Sequence, residues 1–326
     1  MSTDVEIYTS PPEALVHHLR THHLPHALPL LRRLRFTRFP GGITEHARIL
    51  FASNAELTSD MPPETPFAAA YLDFSRGPET EIWLYASLER RPDALATAAV
   101  SLKREGAEND EEKREEEAAR CARRVLGEAR RQRDAYSEER GALATILAGT
   151  LNETLRQALV NQGIIFAQVD IYDKWVFRLD ALPDVDVDKP LAEDMLWDRF
   201  RREDIPLMQS RTKIQRKERT IVLLPSMAIY RQDGRPVAWA LLGPDSSLSG
   251  LHCEEEWRGK GFAKAVAIKL WRERLKEYDD EGYCWADVAP DNNGSQRVCK
   301  SLGGKVAWSI SWLVPKLSIR FYLASN

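Results

Sequence analysis

Residues 248–263, Leu-Ser-Gly-Leu-His-Cys-Glu-Glu-Glu-Trp-Arg-Gly-Lys-Gly-Phe-Ala, join three kinds of chain behaviour without a linker. Leu248, Leu251 and Cys253 mark an apolar run suited to a strand, and Arg258-Gly259-Lys260-Gly261-Phe262-Ala263 follows directly. From there apolar residues recur at Ala263, Val266, Ala267, Leu270, Trp271 and Leu275, one face of a helix. A strand, a glycine loop and a helix in this order form an anion-binding geometry. The glycines let the backbone take positive φ and approach a ligand. The N–H groups of the helix's first turn, with its macrodipole, favour negative charge, and Arg258 and Lys260 add cations.

Two phosphate loops are excluded. Lys260 is followed by Gly261, so no hydroxyl stands where a P-loop needs one, and Lys264 occupies the third glycine position of a dinucleotide fingerprint. Arg258-x-x-Gly261-x-Ala263 instead resembles the pyrophosphate loop of the GNAT superfamily of N-acetyltransferases. Downstream, a β-rich run from Gly282 to Val288 precedes Asn292-x-x-Ser295-x-x-Val298-Cys299-x-Ser301-x-Gly303. That segment is similar to the family's Asn-x-x-Ser/Ala-x-x-Leu-Tyr-x-Lys-x-Gly-Phe, at the same spacing. The resemblance implies that Arg258, Gly259, Lys260, Gly261, Phe262 and Ala263 hold the pyrophosphate of coenzyme A. It also implies that Asn292 and Ser295 lie where the pantetheine arm enters. Two departures stand out: the family's tyrosine, often the acid that reprotonates the leaving thiolate, is Cys299, and its Phe is Gly304.

At 326 residues two domains are expected. A net charge of −3, with both signs interspersed, gives no reason to expect nucleic acid or an anionic membrane as partner. No apolar stretch reaches transmembrane length, and Met1-Ser2-Thr3-Asp4 lacks the features of a secretory signal. Cys121, Cys253, Cys284 and Cys299 have no metal spacing and fit reduced thiols in the cytoplasm.

In chain order, Pro11-Pro12 opens a helix to Arg20, and a second spans 24–34. His18, His22 and His26 have the i, i+4 spacing of a metal site, but Pro25 interrupts them and no carboxylate or cysteine is near, so solvated or partly buried rings are expected. Strands are expected at 47–52, 67–74 and 81–86, the last two a hairpin across Ser75-Arg76-Gly77-Pro78. The charged stretch about 103–140 reads as a solvated helix with i, i+4 pairs, preceded by a loop near 106–110. An amphipathic helix over 143–160 and strands at 164–167 and 175–177 follow. The acidic, proline-bounded segment 182–190 has linker character and separates an expected domain of residues 1–182 from one of 190–326.

The second half opens with helical material at 191–202 and 205–215. Strands at 226–230 and 237–242 flank Asp233-Gly234, a hairpin signal, and a third spans 248–253. The loop and its helix, a strand, a helix over 294–302 and a β pair at 305–309 and 311–314 complete the element order of one GNAT domain. The expected fold class is α/β (α+β), a mixed, mostly antiparallel sheet flanked by helices. Pro236-Val237-Ala238-Trp239 and Glu256-Trp257-Arg258 further resemble segments of glycine N-acyltransferase-like proteins, which carry two tandem domains of this fold. That likeness implies that residues 1–182 are a degenerate copy without a cofactor loop.

Acetyl transfer to an amine requires the reactants to be held together, donors for the developing oxyanion, a base for the ammonium proton and a proton for the thiolate. Backbone N–H groups from Leu251 to Cys253 suit the carbonyl. Glu256 stands close to where the resemblance puts a carboxylate base, although its charge equally complements the helix N-terminus. His252, alternating away from Leu251 and Cys253, competes as base. Cys299 either replaces the tyrosine as acid or packs in the core. The expectation is an acyl-CoA-dependent N-acyltransferase that moves acetyl from acetyl-CoA to a primary amine of a small molecule or amino acid in a ternary complex, with no metal. The alternative is a non-catalytic acyl-CoA-binding scaffold.

Overall fold

The structure, a computed structural model, describes residues 5–79, 81–90, 105–140, 146–212, 216–279 and 281–315. Its elements in order are β1 (Glu6–Tyr8), α1 (Glu13–His22), α2 (Leu28–Phe36), β2 (Ala47–Ser53), β3 (Phe67–Asp73), β4 (Glu81–Ala86), α3 (Glu105–Arg140), β5 (Leu147–Asn152), α4 (Glu153–Asn161) and β6 (Phe166–Arg178). There follow β7 (Met195–Asp198), α5 (Ile205–Ser210), α6 (Glu218–Ile221), β8 (Ser226–Arg231), β9 (Pro236–Leu242), β10 (Leu248–Cys253), α7 (Phe262–Arg274), β11 (Tyr283–Val288), α8 (Asn293–Ser301) and β12 (Lys305–Pro315).

The chain forms two compact units. Unit 1 is Met1–Leu30, Thr44–Ile171 and Ile310–Asn326; unit 2 is Leu31–Ile43 with Tyr172–Ser309. Neither is one continuous stretch, and the segment 182–190 lies inside unit 2. The chain passes from unit to unit within α2, β6 and β12, and between Ile43 and Thr44.

In unit 1, β1 to β4 form an antiparallel run, β5 lies parallel to β4, and the end of β12 pairs antiparallel with β5, Ile310 opposite Asn152. α3 covers β2 and β3. The i, i+4 charge pattern is present, with Glu116 and Glu117 on Arg120 at 2.8 and 2.7 Å. The wholly solvated reading of this helix is nonetheless corrected: Ala118, Cys121, Ala122, Val125, Leu126 and Ala129 are buried in the unit 1 core. Spaced three or four apart, these residues line one face, and small side chains seat it on the sheet. The helix already includes 106–110, where a loop was expected, while residues 103 and 104 lie outside the described residues.

Strand and helix replace the single helix expected over 143–160, whose first residues, 143–145, lie outside the described residues. Leu147, Leu151, Leu155 and Leu159 suit either reading by spacing, and the ladders to β4 and β12 settle it. α4 then starts where Asn152 Oδ1 accepts the Thr154 N–H at 2.8 Å. In the same way β7, paired to β8 with Trp197 opposite Ile229, forms where 191–202 reads as helix. The strands expected at 164–167 and 175–177 are one strand, β6, and the final β pair is one strand, β12.

The expected hairpins are present. Gly77 (φ 64) lies between β3 and β4, and Gly234 (φ 86) between β8 and β9. The histidine reading needs revision: His18 and His23 are fully buried, their Nε2 atoms 3.1 Å apart, with His23 Nδ1 2.9 Å from the Tyr85 hydroxyl. These rings bind one another and a phenol. Among the described residues no group of His, Cys, Asp and Glu could hold a metal ion, and no helix is long and apolar enough to cross a membrane.

In unit 2, β7, β8, β9 and β10 form an antiparallel sheet with β10 at its edge. α7 packs on β8 and β9 around buried Trp239 and Trp271. β11 runs beside β10 but pairs with β6, Asp287 opposite Lys174. The edge of β10 facing β11 therefore carries no ladder.

Candidate active site

Along β10 the register to β9 passes from Ser249 opposite Leu241 to His252 opposite Trp239, so that Gly250 and Leu251 together face the single residue Ala240. This is a β-bulge. Gly250 sits at φ 61, and a Cβ there would lie 3.1 Å from Leu241 Cδ1, so glycine suits both the backbone and the space. Beyond the bulge, Glu254 N–H donates to Val237 O at 2.9 Å, while Cys253 O accepts Arg258 Nε–H at 3.1 Å. A residue in an antiparallel ladder points its N–H and C=O to the same side, and the side alternates along the strand. Cys253 and Leu251 thus turn their backbone groups to the unladdered edge, where a flat amide-bearing chain such as pantetheine can lie.

The strand leads into the glycine loop. Gly259 and Gly261 have φ 78 and 92, and a Cβ on either would meet nothing within 4 Å: the loop backbone is bare on the side a ligand would approach. Ala265 N–H donates to Gly261 O at 3.0 Å as α7 begins. The amides of Phe262, Ala263 and Lys264 precede that bond in the first turn, where a helix offers no acceptor of its own. Lys260 Nζ lies 4.5 Å over the Trp257 ring. At α8, Asn292 Oδ1 accepts the Ser295 N–H at 3.0 Å and caps the helix.

On the opposite face of β10, His252 stacks on Trp239, with ring centroids 4.6 Å apart at 28°. Among the described residues its Nε2 has no hydrogen-bond partner, and it lies 3.7 Å from Glu254 Oε1, which accepts Arg211 Nε–H of the segment after α5 at 3.0 Å. Burial is the largest influence on the imidazole and lowers its pKa; Glu254 pulls the other way and Arg258 adds to the lowering. The ring is therefore neutral near pH 7 and able to accept a proton. Sequence reasoning missed Glu254 and Arg211. The i+2 spacing of Glu254 from His252 was the available signal, hidden in a run of three glutamates.

Glu256 is exposed, and its Oε1 accepts the Trp257 Nε1–H at 3.0 Å. Cys299 is 3% exposed within the unit 2 core, and burial pushes its thiol up to about 12. Beside the bulge, a recess of about 40 Å³ is bounded by Ser249, Gly250, Met208 and Leu241.

A family model described as the acyl-CoA N-acyltransferase verG N-terminal domain matches residues 2–178, more than half of the 326. The chain belongs to the verG family of acyl-CoA N-acyltransferases. A second model, FR47-like protein, matches residues 226–313, from the start of β8 into β12, and so contains the bulge, the loop and α8. The verG-family chain also resembles solved structures. A Drosophila protein determined by X-ray crystallography is similar over 96% of this chain and 98% of its own, at TM-score 0.62 and 14% identity, a likeness of fold. A tandem GNAT protein from the clavulanic acid biosynthesis pathway covers 96% and 98% at TM-score 0.47 and 12% identity. A putative acetyltransferase from Pyrococcus horikoshii covers 96% and 90% at TM-score 0.49 and 9% identity. No curated protein matches the chain by sequence. The verG-family chain thus has a mixed α/β fold, shared over nearly its whole length with the Drosophila protein.

Proposed function

We propose that this protein transfers an acyl group, acetyl by default, from coenzyme A to the primary amine of a small molecule or amino acid by direct attack in a ternary complex. The observation that carries the reading is the unladdered, bulged edge of β10 running straight into a bare glycine loop at the start of α7. Leu251 and Cys253 would hold the pantetheine arm by backbone hydrogen bonds. Arg258 to Ala263 would hold the pyrophosphate, and Asn292 with Ser295 would flank the arm from α8.

Leu251 turns its N–H to the unladdered edge beside the bulge, so that group is available to the thioester oxygen, whose charge grows as the amine attacks. His252, neutral and half-buried, takes the ammonium proton, and Glu254, held by Arg211, stabilises the imidazolium that results. Cys299 has no part in this scheme, because a thiol buried in the core holds its proton too tightly. The departing thiolate, with a pKa near about 8.5, takes a proton from water. Four buried, unbridged cysteines suit a reducing compartment such as the cytoplasm.

The test is thermal unfolding with and without saturating acetyl-CoA, repeated on Gly261→Glu. A ligand at about 100 times its dissociation constant adds about 2.7 kcal/mol, which is readily seen. Wild type shifts and the variant does not if the loop holds the pyrophosphate. A wild type that does not shift removes the cofactor assignment. Thiol release with a panel of amines then separates an enzyme from a non-catalytic binder.

A further inference from the structure

Four buried apolar side chains bound the recess of about 40 Å³ beside the bulge of β10: Met208 of α5, Ile221 of α6, Leu241 of β9 and Leu224, which precedes β8. Another side is bare backbone. Gly250 brings no side chain there, and a Cβ on it would lie 3.1 Å from Leu241 Cδ1 and 3.9 Å from Met208 Sδ. The recess is thus partly the space that a side chain at 250 would fill. Gln209 Nε2–H donates to Arg216 O at 2.7 Å, which ties the end of α5, the helix that carries Met208, to the approach to α6. Ile221, Leu224 and Leu241 also line a second space in unit 2, a groove of about 670 Å³. Those three side chains stand between a space the size of one small group and a far larger one.

We infer that this recess receives the alkyl end of the donor's acyl group, and that Met208, with the wall of Ile221, Leu224 and Leu241, limits the donor to acetyl or propionyl. The inference rests on the N-acyltransferase reading above and adds to it the size of the group transferred and the residues that set it. Leu251, whose N–H would hold the thioester oxygen, follows Gly250 directly, and successive Cα atoms lie about 3.8 Å apart. A thioester held at Leu251 therefore has its acyl carbons at the mouth of the recess. Volume then decides length. About 40 Å³ is little more than the roughly 30 Å³ share of one water molecule in the liquid, which suits a methyl or an ethyl group. A butyryl or longer chain has to displace Met208 or the wall, and close-packed interiors resist that. The lining also suits the occupant, since an apolar end leaves water for contact with thioether and aliphatic side chains. The groove beyond has room for a longer chain, but the wall closes it off.

Calorimetric titration of the full chain with free coenzyme A and with acetyl-, propionyl-, butyryl- and hexanoyl-CoA, without any acceptor, reads the recess directly. Acetyl- and propionyl-CoA should bind at least as tightly as coenzyme A. Butyryl- and hexanoyl-CoA should bind about tenfold or more weakly than acetyl-CoA, a loss on the scale of overpacking a core. Leu224→Ala removes part of the wall and should reverse the order, with hexanoyl-CoA gaining over acetyl-CoA by about fourfold for each methylene that enters the groove. Met208→Ala widens the recess from α5 and leaves the wall intact, so it should admit butyryl-CoA but not hexanoyl-CoA, and it carries the test if Leu224→Ala does not fold. Free coenzyme A, which leaves the recess empty, shows in each variant whether the cofactor loop is intact. Wild-type affinities that ignore chain length or rise steadily with it would overturn the inference, as would variants that leave the length limit where it is. Those outcomes leave the cofactor assignment standing, whereas a chain that binds neither coenzyme A nor any thioester removes both.

Discussion

A Cβ placed on Gly304 would come within 2.2 Å of Phe177 Cε1, so the ring of Phe177, carried on β6, fills the space that a side chain at this position would need. Gly304→Ala should therefore cost about 1–3 kcal/mol by overpacking, measured by urea unfolding, and an unchanged midpoint would mean that the ring can swing aside. The same scale holds the base. With burial lowering the His252 pKa, kcat/KM should rise with pH through a midpoint below the ordinary 6.5 and stay level above it. Glu254→Gln removes the group that raises this pKa, so the acid limb should move to still lower pH, and His252→Gln should abolish the limb with most of the activity. An acid limb that ignores Glu254→Gln would exclude His252. The glycine loop was legible in the sequence because positive φ and a helix start are local properties. His252 was legible on its face through strand alternation. Its partners were not, since Arg211 is 43 residues from Glu254 and only the fold brings them together. Nor did the sequence separate a packed Cys299 from a reactive one, because burial is a property of the whole core.

Among the elements, turn chemistry and ladders divide what could be read from what could not. Asp233-Gly234 announced the β8–β9 hairpin because a residue at φ 86 leaves few alternatives to glycine. β5 was hidden because leucines spaced for a helix also serve a strand that continues into a helix, and the deciding hydrogen bonds come from β4 and β12. α3 was misread in the other direction. Its charges dominate the composition, while its buried face is built from alanines too small to register as a hydrophobic stripe. That face is fully buried at Ala122. Ala122→Glu, which places an unpaired carboxylate against β2 and β3, should cost several kcal/mol, whereas Glu115→Ala on the exposed side should change stability by less than about 0.5 kcal/mol. Chemical denaturation of the two variants checks the assignment, and equal small effects would mean that the helix does not pack as described.

For the molecule as a whole, the buried histidines of unit 1 set the response to acid. Burial lowers His18 from 6.5 to about 4 and His23 to about 2. The unfolded chain binds protons at these rings near pH 6.5 and the folded chain does not, so their contribution is fully present above that pH. Stability then falls on acidification, by about 1.4 kcal/mol per pH unit for each ring until its folded pKa is reached. Urea midpoints at pH 7.5 and pH 5 should differ clearly in the wild type and much less in His18→Gln/His23→Gln, even though the double variant is less stable at both. A wild-type midpoint that does not move between these pH values would show that the rings are accessible to protons when folded.

The pairing of β12 with β5 also bears on how the chain is made. During synthesis β5 emerges with one edge open, and the residues that cover it, Ile310 to Leu313, are translated more than 150 positions later, so unit 1 cannot finish its sheet until they have been made. A nascent chain paused near 182 would expose that edge to its neighbours on the polysome, where β5 could pair with another copy instead.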